Sequence, residues 1–375
     1  MKEVALELQP CCWDRSGIGT YTYELARRLH NQEEFQFHGN VFNFLGRRDN
    51  SGALSGITMP IYQNCTMPYG VYRRIWKFAP IPYQLLFRGK VDLSIFFNFI
   101  VPPNISGRVI AVVHDLTYLR YPETMKKSNL AHMTKGITYS VARSDKIITV
   151  SEFSKREIQE LLGVPADKIS IVYNAPSLAQ KSAEFGTVQE KYGISRNYIL
   201  FVSTIEPRKN IERLLHAFSQ IKEKYKLPHQ LVLAGGKGWQ DKEIYKTAAQ
   251  MDFSEDVVFT GYVSAEEKNA LYRNASVFVF PSLYEGFGIP PLEAMAMGCP
   301  VVCTNAASLP EVAGDAAHFV DPFDETSIAD GIVKVLFDRE YADRLVVRGY
   351  NQCKKFTWEN AAQQLLEVCR EVLTL

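Results

Sequence analysis

The chain has 375 residues, which exceeds one typical hydrophobic core and suits two. Hydrophobic residues make up 46% and charged residues 22% of the sequence, which excludes a disordered or fibrous protein. The formal net charge of +1 gives no support for nucleic-acid binding, but residues 1–180 carry 21 Lys and Arg against 15 Asp and Glu. We therefore expect the N-terminal half to face an anionic partner.

The seven cysteines and the N-terminal segment bear on the compartment of the protein. No Cys-x-x-Cys pair occurs and no histidine stands at zinc-like spacing, so buried free thiols in a reducing cytosol fit best. The N-terminal sequence MKEVALELQP lacks the apolar region of a secretory signal, and no apolar run approaches the roughly 20 residues of a membrane span. We expect a cytoplasmic protein.

Short apolar strands alternate with helical patterns along the chain. In chain order, the predicted strands are 4–8, 109–113, 146–150, 169–173, 198–203, 230–234, 257–260, 277–281 and 301–304. The predicted helices are 21–29, 151–162, 211–225, 241–251, 264–274, 291–297 and 358–375. Unbroken Val, Ile and Phe runs with helices between them indicate parallel strands covered on both faces. A polar segment at 175–186 separates two such series, which predicts two doubly wound α/β domains with a ligand site in the cleft between them.

The first candidate site is the glycine turn RSGIGT at 15–20. Backbone N–H groups at Gly17 and Gly19, with the positive end of the helix dipole, suit an anion. Thr22 stands where a dinucleotide fingerprint has its third glycine, which argues against an NAD-dependent oxidoreductase. The alternative is a tight turn that binds nothing.

The second candidate site is the pair Arg208 and Lys209, directly before a predicted helix that Asn210 is expected to cap. Cations at a helix N-terminus oppose its dipole by roughly 0.3–1 kcal/mol each, so their presence predicts a bound anion. Arg can contact two phosphate oxygens at once and Lys adds a point charge. The alternative is two solvated charges in a loop.

The third candidate site is the stretch PSLYEGFGIPPLEAMAMGCP at 281–300, which contains Glu285 and Glu293. Ionised carboxylates only accept hydrogen bonds, so two of them suit the hydroxyl groups of a sugar and a ribose. Gly286 and Gly288 allow close approach of the backbone to a ligand. The alternative places Glu293 in the first turn of a helix, where it stabilises the helix dipole.

His114 follows a predicted strand, at the edge where ligands bind in parallel sheets. A lone histidine in this position is either functional or structural, and the sequence leaves both open. The serines at 151 and 154 are expected to cap a helix. No Asp-x-Asp, P-loop, Gly-x-Ser-x-Gly or His-Glu-x-x-His motif occurs, so protein cations and helix N-termini would have to neutralise a diphosphate without a metal.

Taken in order, these motifs resemble those of the retaining GT-B glycosyltransferases of family four. The resemblance rests on His-Asp at 114–115, EPRKN at 206–210 and PSLYEGFGIPPLEAMAMGCPVV at 281–302, and it extends through SLPEVAG at 308–314. It covers nearly the whole chain. It implies the GT-B fold, in which two Rossmann-like domains face each other across a cleft.

The resemblance also implies the domain boundaries. Residues 1–176 and a returning C-terminal helix at 357–375 would bind the acceptor, and residues 177–356 would bind the nucleotide-sugar donor. In this arrangement Gly17 and Gly19 would line the donor diphosphate.

The resemblance assigns roles to the other motif residues. Arg208 and Lys209 would bind the diphosphate directly. The donor sugar would be held by Glu285 with Gly286, Phe287 and Gly288, and His114 would lie beside its anomeric carbon. Glu293 would bind the ribose, and Gly261, Tyr262 and Val263 would meet the base. Glu285 and His114 are therefore the predicted catalytic residues, in a reaction that needs no divalent metal and no cofactor.

Within the family, the sequence looks most like bacterial mannosyltransferases that build surface polysaccharides from GDP-mannose. The alternatives are a UDP-hexose or UDP-N-acetylhexosamine transferase, a nucleotide-sugar epimerase and a non-catalytic nucleotide-sugar binder. The acceptor would be a saccharide or a lipid-linked glycan. The segment 69–90 mixes aromatic and basic residues, which fits peripheral contact with an anionic membrane at its inner face. The alternative is a helix with its aromatic side in the core and its charges in water.

Overall fold

The computed structural model describes residues 1–12, 17–30, 33–76, 78, 80–87 and 91–374. The chain divides into two compact units. The first unit comprises Met1–Tyr118, Lys127–Asn174 and Trp358–Leu375, and the second comprises Leu119–Lys126 and Ala175–Thr357.

Each unit contains one parallel β-sheet. The strands of the first are β1 Lys2–Glu7, β2 Phe35–Phe42, β3 Ile61–Asn64, β4 Leu93–Phe96, β5 Arg108–Val112, β6 Lys146–Thr149 and β7 Ile169–Ile171. The strands of the second are β8 Tyr198–Val202, β9 Gln230–Ala234, β10 Val257–Gly261, β11 Val277–Phe280, β12 Val301–Thr304 and β13 Ala317–Val320. Their spatial orders are β3-β2-β1-β4-β5-β6-β7 and β10-β9-β8-β11-β12-β13.

Helices connect the strands, as parallel pairing requires. They are α1 Gly17–Ala26, α2 Tyr69–Ile75, α3 Thr117–Arg120, α4 Lys127–Arg143, α5 Glu152–Leu162, α6 Phe185–Tyr192, α7 Ile211–Tyr225, α8 Lys242–Gln250, α9 Ala265–Asn274, α10 Ile289–Ala296, α11 Leu309–Ala313, α12 Glu325–Phe337, α13 Arg339–Cys353 and α14 Trp358–Thr374. Helix α14 belongs to the first unit.

The two predicted series of parallel strands are confirmed. Strands β8, β9, β11 and β12 are buried along their whole length, which explains why their sequences are unbroken apolar runs. The sequence patterns did not reveal strands β2, β3, β4 and β13, nor helices α3, α4, α6, α11, α12 and α13. The sequence analysis also began the first helix four residues late, because α1 already includes Gly17 and Gly19.

The residues predicted to cap the N-termini of helices can be compared with the observed hydrogen bonds. The capping box is present, since Ser264 accepts from the backbone N–H of Glu267 at 3.2 Å and the Glu267 carboxylate accepts from the Ser264 N–H at 2.8 Å. Ser151 caps α5 as expected, by accepting from the backbone N–H of Ser154 at 3.0 Å. Asn210 occupies the N-cap position of α7 as expected, but its side chain makes no hydrogen bond to that helix's N-terminal backbone.

The contacts of α14 tie the C-terminus to the first unit. Arg28 pairs with Glu359 at 2.9 Å, and Arg370 pairs with Glu34 at 2.7 Å. The Lys146 ammonium also contacts a glutamate of the last helical turn. The short segment Leu119–Lys126 groups with the second unit, although the predicted boundaries assigned it to the first.

All seven cysteines are free thiols, but Cys65 is exposed and so departs from the expected burial. None of the helices in the described part of the chain combines the length and the apolar character that a membrane span requires. Among the described residues, no group of three or more His, Cys, Asp or Glu side chains could hold a metal ion.

A buried carboxyl group lies at the carboxyl end of β1. Glu7 is paired in register with Asn40 of β2 and Phe96 of β4, and its Oε1 has no hydrogen-bond partner among the described residues. Burial raises the pKa of Glu7 to about 8, against weaker opposing effects of the Gln9 backbone and the Arg73 charge. Glu7 is therefore protonated at neutral pH, because the buried site disfavours the charge.

We predict that Glu7→Gln removes a pH-dependent loss of stability. Because the folded-state pKa is raised from 4.5 to about 8, the wild type loses stability as pH rises across this window. The amide cannot ionise. The free energy of unfolding of the variant, relative to that of the wild type, should therefore rise by about 3–5 kcal/mol between pH 4 and pH 9. Urea unfolding across this pH range measures the difference. Exposed Glu33→Gln is the control, and parallel pH profiles for wild type and Glu7→Gln would contradict the prediction.

Candidate active site

The loops that follow β8 and β11 meet in the second unit because these strands are neighbours in its sheet. After β8, the chain makes a single 3-10 turn at Pro207–Lys209 and then enters α7. After β11, the chain continues through Ser282 and Glu285 before α10. Residues from both loops thus lie at the carboxyl edge, where open parallel sheets bind ligands.

Three predicted site residues form one buried ionic cluster at this edge. The Lys209 ammonium donates to Glu285 Oε1 at 2.5 Å, and Arg208 Nη1 lies 3.1 Å from Glu285 Oε2. Arg208 Nη2 also pairs with Glu206 at 2.8 Å, and the Ser282 hydroxyl donates to Glu285 at 2.5 Å. The sequence analysis assigned the two cations and Glu285 to different parts of a ligand, and the structure brings them into direct contact.

The electrostatics of the cluster fix the charge of its carboxylate. Burial raises the pKa of Glu285, but the charges of Arg208 and Lys209 and hydrogen bonds from Lys209 and Ser282 outweigh it and bring the pKa to about 2. Burial and the neighbouring Arg208 charge lower the pKa of Lys209, and the Glu285 carboxylate opposes them. Glu285 is ionised at neutral pH, so it can accept hydrogen bonds from hydroxyl groups but cannot donate a proton.

Asn210 supports the cluster in a way that the sequence did not reveal. Its backbone is left-handed, with φ of 61°. Its side-chain amide donates to the carbonyls of Pro281 at 3.0 Å and Pro322 at 2.7 Å, and its oxygen accepts from Arg213 at 2.8 Å. Asn210 therefore fixes the loop after β11 against the loop that carries Arg208 and Lys209.

The loop from 285 to 288 is held by its backbone. The Ser308 hydroxyl lies 2.9 Å from the carbonyl oxygens of both Glu285 and Phe287. Gly288 has φ of +96°, and a Cβ at this position would lie 2.6 Å from Leu309 Cδ2, so only glycine fits. Phe287 is buried, and Gly288 precedes the first residue of α10.

Glu293 lies one turn further into α10 than expected, since the first turn contains no acidic residue. The interpretation as a first-turn dipole partner is therefore wrong. Its buried carboxylate accepts from Lys268 at 2.6 Å and from the Tyr272 hydroxyl at 3.2 Å, both from α9. Its predicted contact with ribose stays a prediction.

The predicted base-binding loop begins at the end of β10. Gly261 has φ of +70°, and its carbonyl accepts from the backbone N–H of Gly235 at 3.0 Å. The Tyr262 side chain is 74% exposed, whereas Val263 is buried. Only the tyrosine ring of this loop is thus available to stack on a planar ligand.

The remaining predicted residues belong to the first unit. His114 is buried after β5, and its Nε2 lies 2.8 Å from the Phe97 carbonyl oxygen. Because a carbonyl can only accept, Nε2 carries the proton and Nδ1 is an acceptor. Burial lowers the pKa of His114, despite the raising effects of this hydrogen bond and of Asp115, so the ring is neutral at pH 7.

The glycine turn forms the start of α1. Gly17 and Gly19 lie in the first turn of that helix, and a Cβ on Gly17 would meet no atom within 4 Å. Packing therefore gives no reason for glycine at position 17. Arg15 and Ser16 of the predicted turn lie outside the described residues.

The sequence analysis missed the partners that hold the site. Lys268 and Tyr272 are four residues apart on α9 and share a face, but their spacing does not reveal Glu293 as the partner. Ser282 and Ser308 lie within quoted motifs, where they resemble ordinary turn residues. The contacts of these residues become visible only in the folded chain.

The fold agrees with the family comparison. The model described as "Glycosyltransferase Family 4" matches residues 15–179, and the model described as "Glycosyl transferases group 1" matches residues 186–352. The chain belongs to this glycosyltransferase family, as the sequence analysis expected. It is therefore an enzyme that transfers a sugar.

Two curated relatives and one solved structure show what this chain resembles in sequence and in fold. The chain is 32% identical to O-antigen chain mannosyltransferase B of Escherichia coli, over 97% of this chain and 98% of that protein. It is 30% identical to O-antigen chain mannosyltransferase RfbU of Salmonella typhimurium, over 68% of this chain and 67% of that protein. Sucrose-phosphate synthase from Thermosynechococcus elongatus matches all of this chain over its own full length, with a TM-score of 0.78 at 18% identity. The predicted GT-B fold is confirmed.

We predict that Glu285→Gln separates nucleotide binding from sugar transfer. The amide keeps the shape of the carboxylate but leaves Arg208 and Lys209 with less compensating negative charge. Binding of a nucleoside diphosphate should become several-fold tighter, whereas transfer should fall by at least about 100-fold, the size of a lost transition-state contact. Calorimetric titration and initial rates measure the two effects.

The matched control is Glu243→Gln, because Glu243 is an exposed carboxylate that pairs with Lys246 in the same unit. The control should leave binding and transfer unchanged. Wild-type transfer rates in Glu285→Gln would contradict the predicted role of Glu285.

Proposed function

We propose that the protein is a retaining hexosyltransferase that moves mannose from GDP-mannose to a saccharide or lipid-linked glycan acceptor in surface polysaccharide synthesis. The observation that carries the proposal is the buried contact of Arg208 and Lys209 with an ionised Glu285 in a chain of this family. The choice of mannose and of a surface polysaccharide follows the names of the two O-antigen mannosyltransferase relatives.

The cluster suits the charge changes of sugar transfer from a nucleotide sugar. Negative charge grows on the leaving diphosphate while the sugar acquires oxocarbenium character. Arg208 and Lys209 are fixed in place before the reaction, so they stabilise the developing diphosphate charge without reorganisation. Glu285 is ionised and can accept hydrogen bonds from hydroxyl groups of the sugar.

Retention of configuration in this proposal does not use Glu285 as a covalent nucleophile. The acceptor hydroxyl attacks the anomeric carbon on the face that the diphosphate leaves, so the new C–O bond forms as the old one breaks. The hydroxyl proton passes to the departing phosphate oxygen. We propose that neutral His114, whose ring is fixed by the Phe97 carbonyl, contacts the donor sugar near its anomeric carbon.

The proposal needs no divalent metal and no cofactor. Its support is the pair of protein cations, which can donate charge-assisted hydrogen bonds to the diphosphate, although Glu206 and Glu285 offset their charge. Activity that is unchanged by excess EDTA would agree with this proposal, and activity that vanishes on chelation and returns with Mg²⁺ or Mn²⁺ would contradict it.

A donor panel tests the proposed function. We expect GDP-mannose to raise the melting temperature more than UDP-glucose, UDP-N-acetylglucosamine or ADP-glucose, because a ligand that binds the folded state stabilises it. The product formed with a mannan oligosaccharide should be an α-mannoside by NMR, since the sugar in GDP-mannose is α-linked.

A double variant tests the role of the two cations. Arg208→Ala combined with Lys209→Ala should lower nucleotide affinity by about 100-fold or more in a calorimetric titration, because each cation contributes a charge-assisted hydrogen bond.

The control for the double variant is exposed Lys246→Ala in the same unit, which should bind as the wild type does. A stronger response to a UDP-sugar would overturn the choice of donor. Unchanged affinity in the double variant would overturn the role of the cations.

We also propose that the first unit touches the inner face of an anionic membrane through residues 69–90. The side chains of Val71, Phe78 and Leu85 are 41%, 89% and 77% exposed, and Arg74 is also exposed. Such a mixture of apolar and basic groups favours binding at a charged bilayer surface.

Other side chains of this segment follow the alternative interpretation. Tyr72 and Tyr83 are buried in the aromatic core cluster, and Trp76 packs against it. Lys77, Arg88 and Lys90, which the membrane hypothesis also used, lie outside the described residues.

We predict that Phe78→Ser combined with Arg74→Glu reduces membrane binding by about 10-fold, because the variant loses apolar insertion and reverses one charge. Sedimentation with phosphatidylglycerol-containing vesicles measures the effect. Val347→Ser, which changes an exposed apolar residue of the second unit, is the control. Equal binding by all three proteins, or binding by none, would refute membrane contact at this segment.

A further inference from the structure

A cavity of about 660 Å³ lies at the edge strand of the first unit. Its walls are the segment that follows β2 and the side of β3. The side chains that concern its chemistry are Asn43, Arg47, Arg48, Asn50, Ile61 and Gln63. Its volume falls within the range of roughly 300–1,000 Å³ that small-ligand sites occupy.

Side-chain hydrogen bonds hold the shape of the cavity. Asn43 donates to the Arg48 carbonyl and to Gln63 Oε1, both at 2.9 Å, and accepts from the Arg48 backbone N–H at 3.1 Å. The segment after β2 is thereby fixed to β3. The Asp49 carboxylate accepts from the Ser51 backbone N–H at 2.9 Å, which fixes the adjacent turn.

The polar groups around the cavity have unused hydrogen-bonding capacity. Asn50 is only 6% exposed, and its Nδ2 has no hydrogen-bond partner in the described part of the chain. Arg47 and Arg48 are exposed and form no ion pair with any described residue, although the Arg47 guanidinium lies 5.9 Å from the Phe44 ring centre. The site therefore offers amide and guanidinium donors to a ligand rich in oxygen atoms.

The charged side chains beside the cavity are two arginines and one aspartate. Asp49 lines it together with the two arginines and keeps its negative charge, because hydrogen bonds from Ser51 lower the pKa of Asp49. This carboxylate repels an anion but can accept from hydroxyl groups. Leu54 and Ile61 add apolar surface on which the C–H face of a sugar ring can pack.

The position of the cavity in the sheet separates it from His114. Strand β3 is four strands away from β5, after which His114 lies. Neighbouring strands are about 4.8 Å apart, so the two positions are about 19 Å apart across the sheet. A ligand that reaches both has to be a chain of several sugar units.

We propose that this cavity binds a neutral segment of a glycan acceptor, several sugar units away from the hydroxyl that receives the transferred sugar. The proposal rests on the proposed glycosyltransferase function and adds a remote acceptor subsite to it. The site makes affinity depend on acceptor length, because only a long acceptor gains its contacts.

The test compares the wild type with Arg47→Ala combined with Arg48→Ala. Both side chains are exposed, so the fold should survive. Calorimetric titration without donor uses mannan, glucan and galactan oligosaccharides as probes, with inorganic phosphate and pyrophosphate as anionic probes. We expect the wild type to bind at least one neutral oligosaccharide, and the double variant to bind it about 10-fold more weakly. Arg339→Ala, which alters an arginine with a 95% exposed side chain in the second unit, should bind as the wild type does.

Kinetics supply the second readout. In the double variant, the KM for a long oligosaccharide acceptor should rise about 10-fold, while the KM for methyl α-mannoside and for the donor should not change. Equal loss for the short and long acceptors, equal binding by wild type and double variant, or binding of phosphate alone would overturn the proposal.

Because the titration contains no donor, it tests the remote acceptor subsite independently of the proposed sugar transfer. Arginine-dependent oligosaccharide binding supports the cavity even if no nucleotide sugar is turned over, in which case only the proposed function fails. If sugar is transferred but oligosaccharide binding does not depend on the two arginines, the proposed function stands and only the remote subsite fails.

Discussion

The contact of Arg208 and Lys209 with Glu285 is the interaction on which the candidate site of the second unit depends. Burying any one of these charges alone would be costly, because the protein interior solvates ions poorly. Together they offset one another, with Glu206 as a second carboxylate beside Arg208. The neighbouring positions of β8 and β11 make this possible, since each strand delivers one side of the cluster to the same sheet edge.

The ionic contacts of the cluster order its side chains and also set the ionisation state of Glu285. Its two cations are already ordered by their contacts with Glu206 and Glu285, whose negative charges offset theirs. The same cations keep Glu285 ionised, which restricts this residue to accepting hydrogen bonds. Asn210, Ser308 and the left-handed Gly288 fix the surrounding backbone, so the arrangement depends on a shell of uncharged contacts as well.

In the first unit, two buried titratable side chains are kept in their neutral forms. Glu7 is buried, with no hydrogen-bond partner for its Oε1 in the described part of the chain, and is held in its neutral form; His114 is likewise kept neutral by burial. At the edge of the same sheet, Arg47 and Arg48 remain exposed around a cavity.

The sequence by itself determined the two series of parallel strands, since strands buried on both faces must be continuous apolar runs, and it indicated the residue types of the site. It missed β3 because an edge strand is only partly buried and lacks such a run. Only the tertiary structure decided how the site residues meet. Lys209 and Glu285 are 76 positions apart, and Asn210 and Pro322 are 112 apart, so no local pattern records their contacts. The position of Glu293 in α10 depended on where that helix begins, directly after the left-handed Gly288.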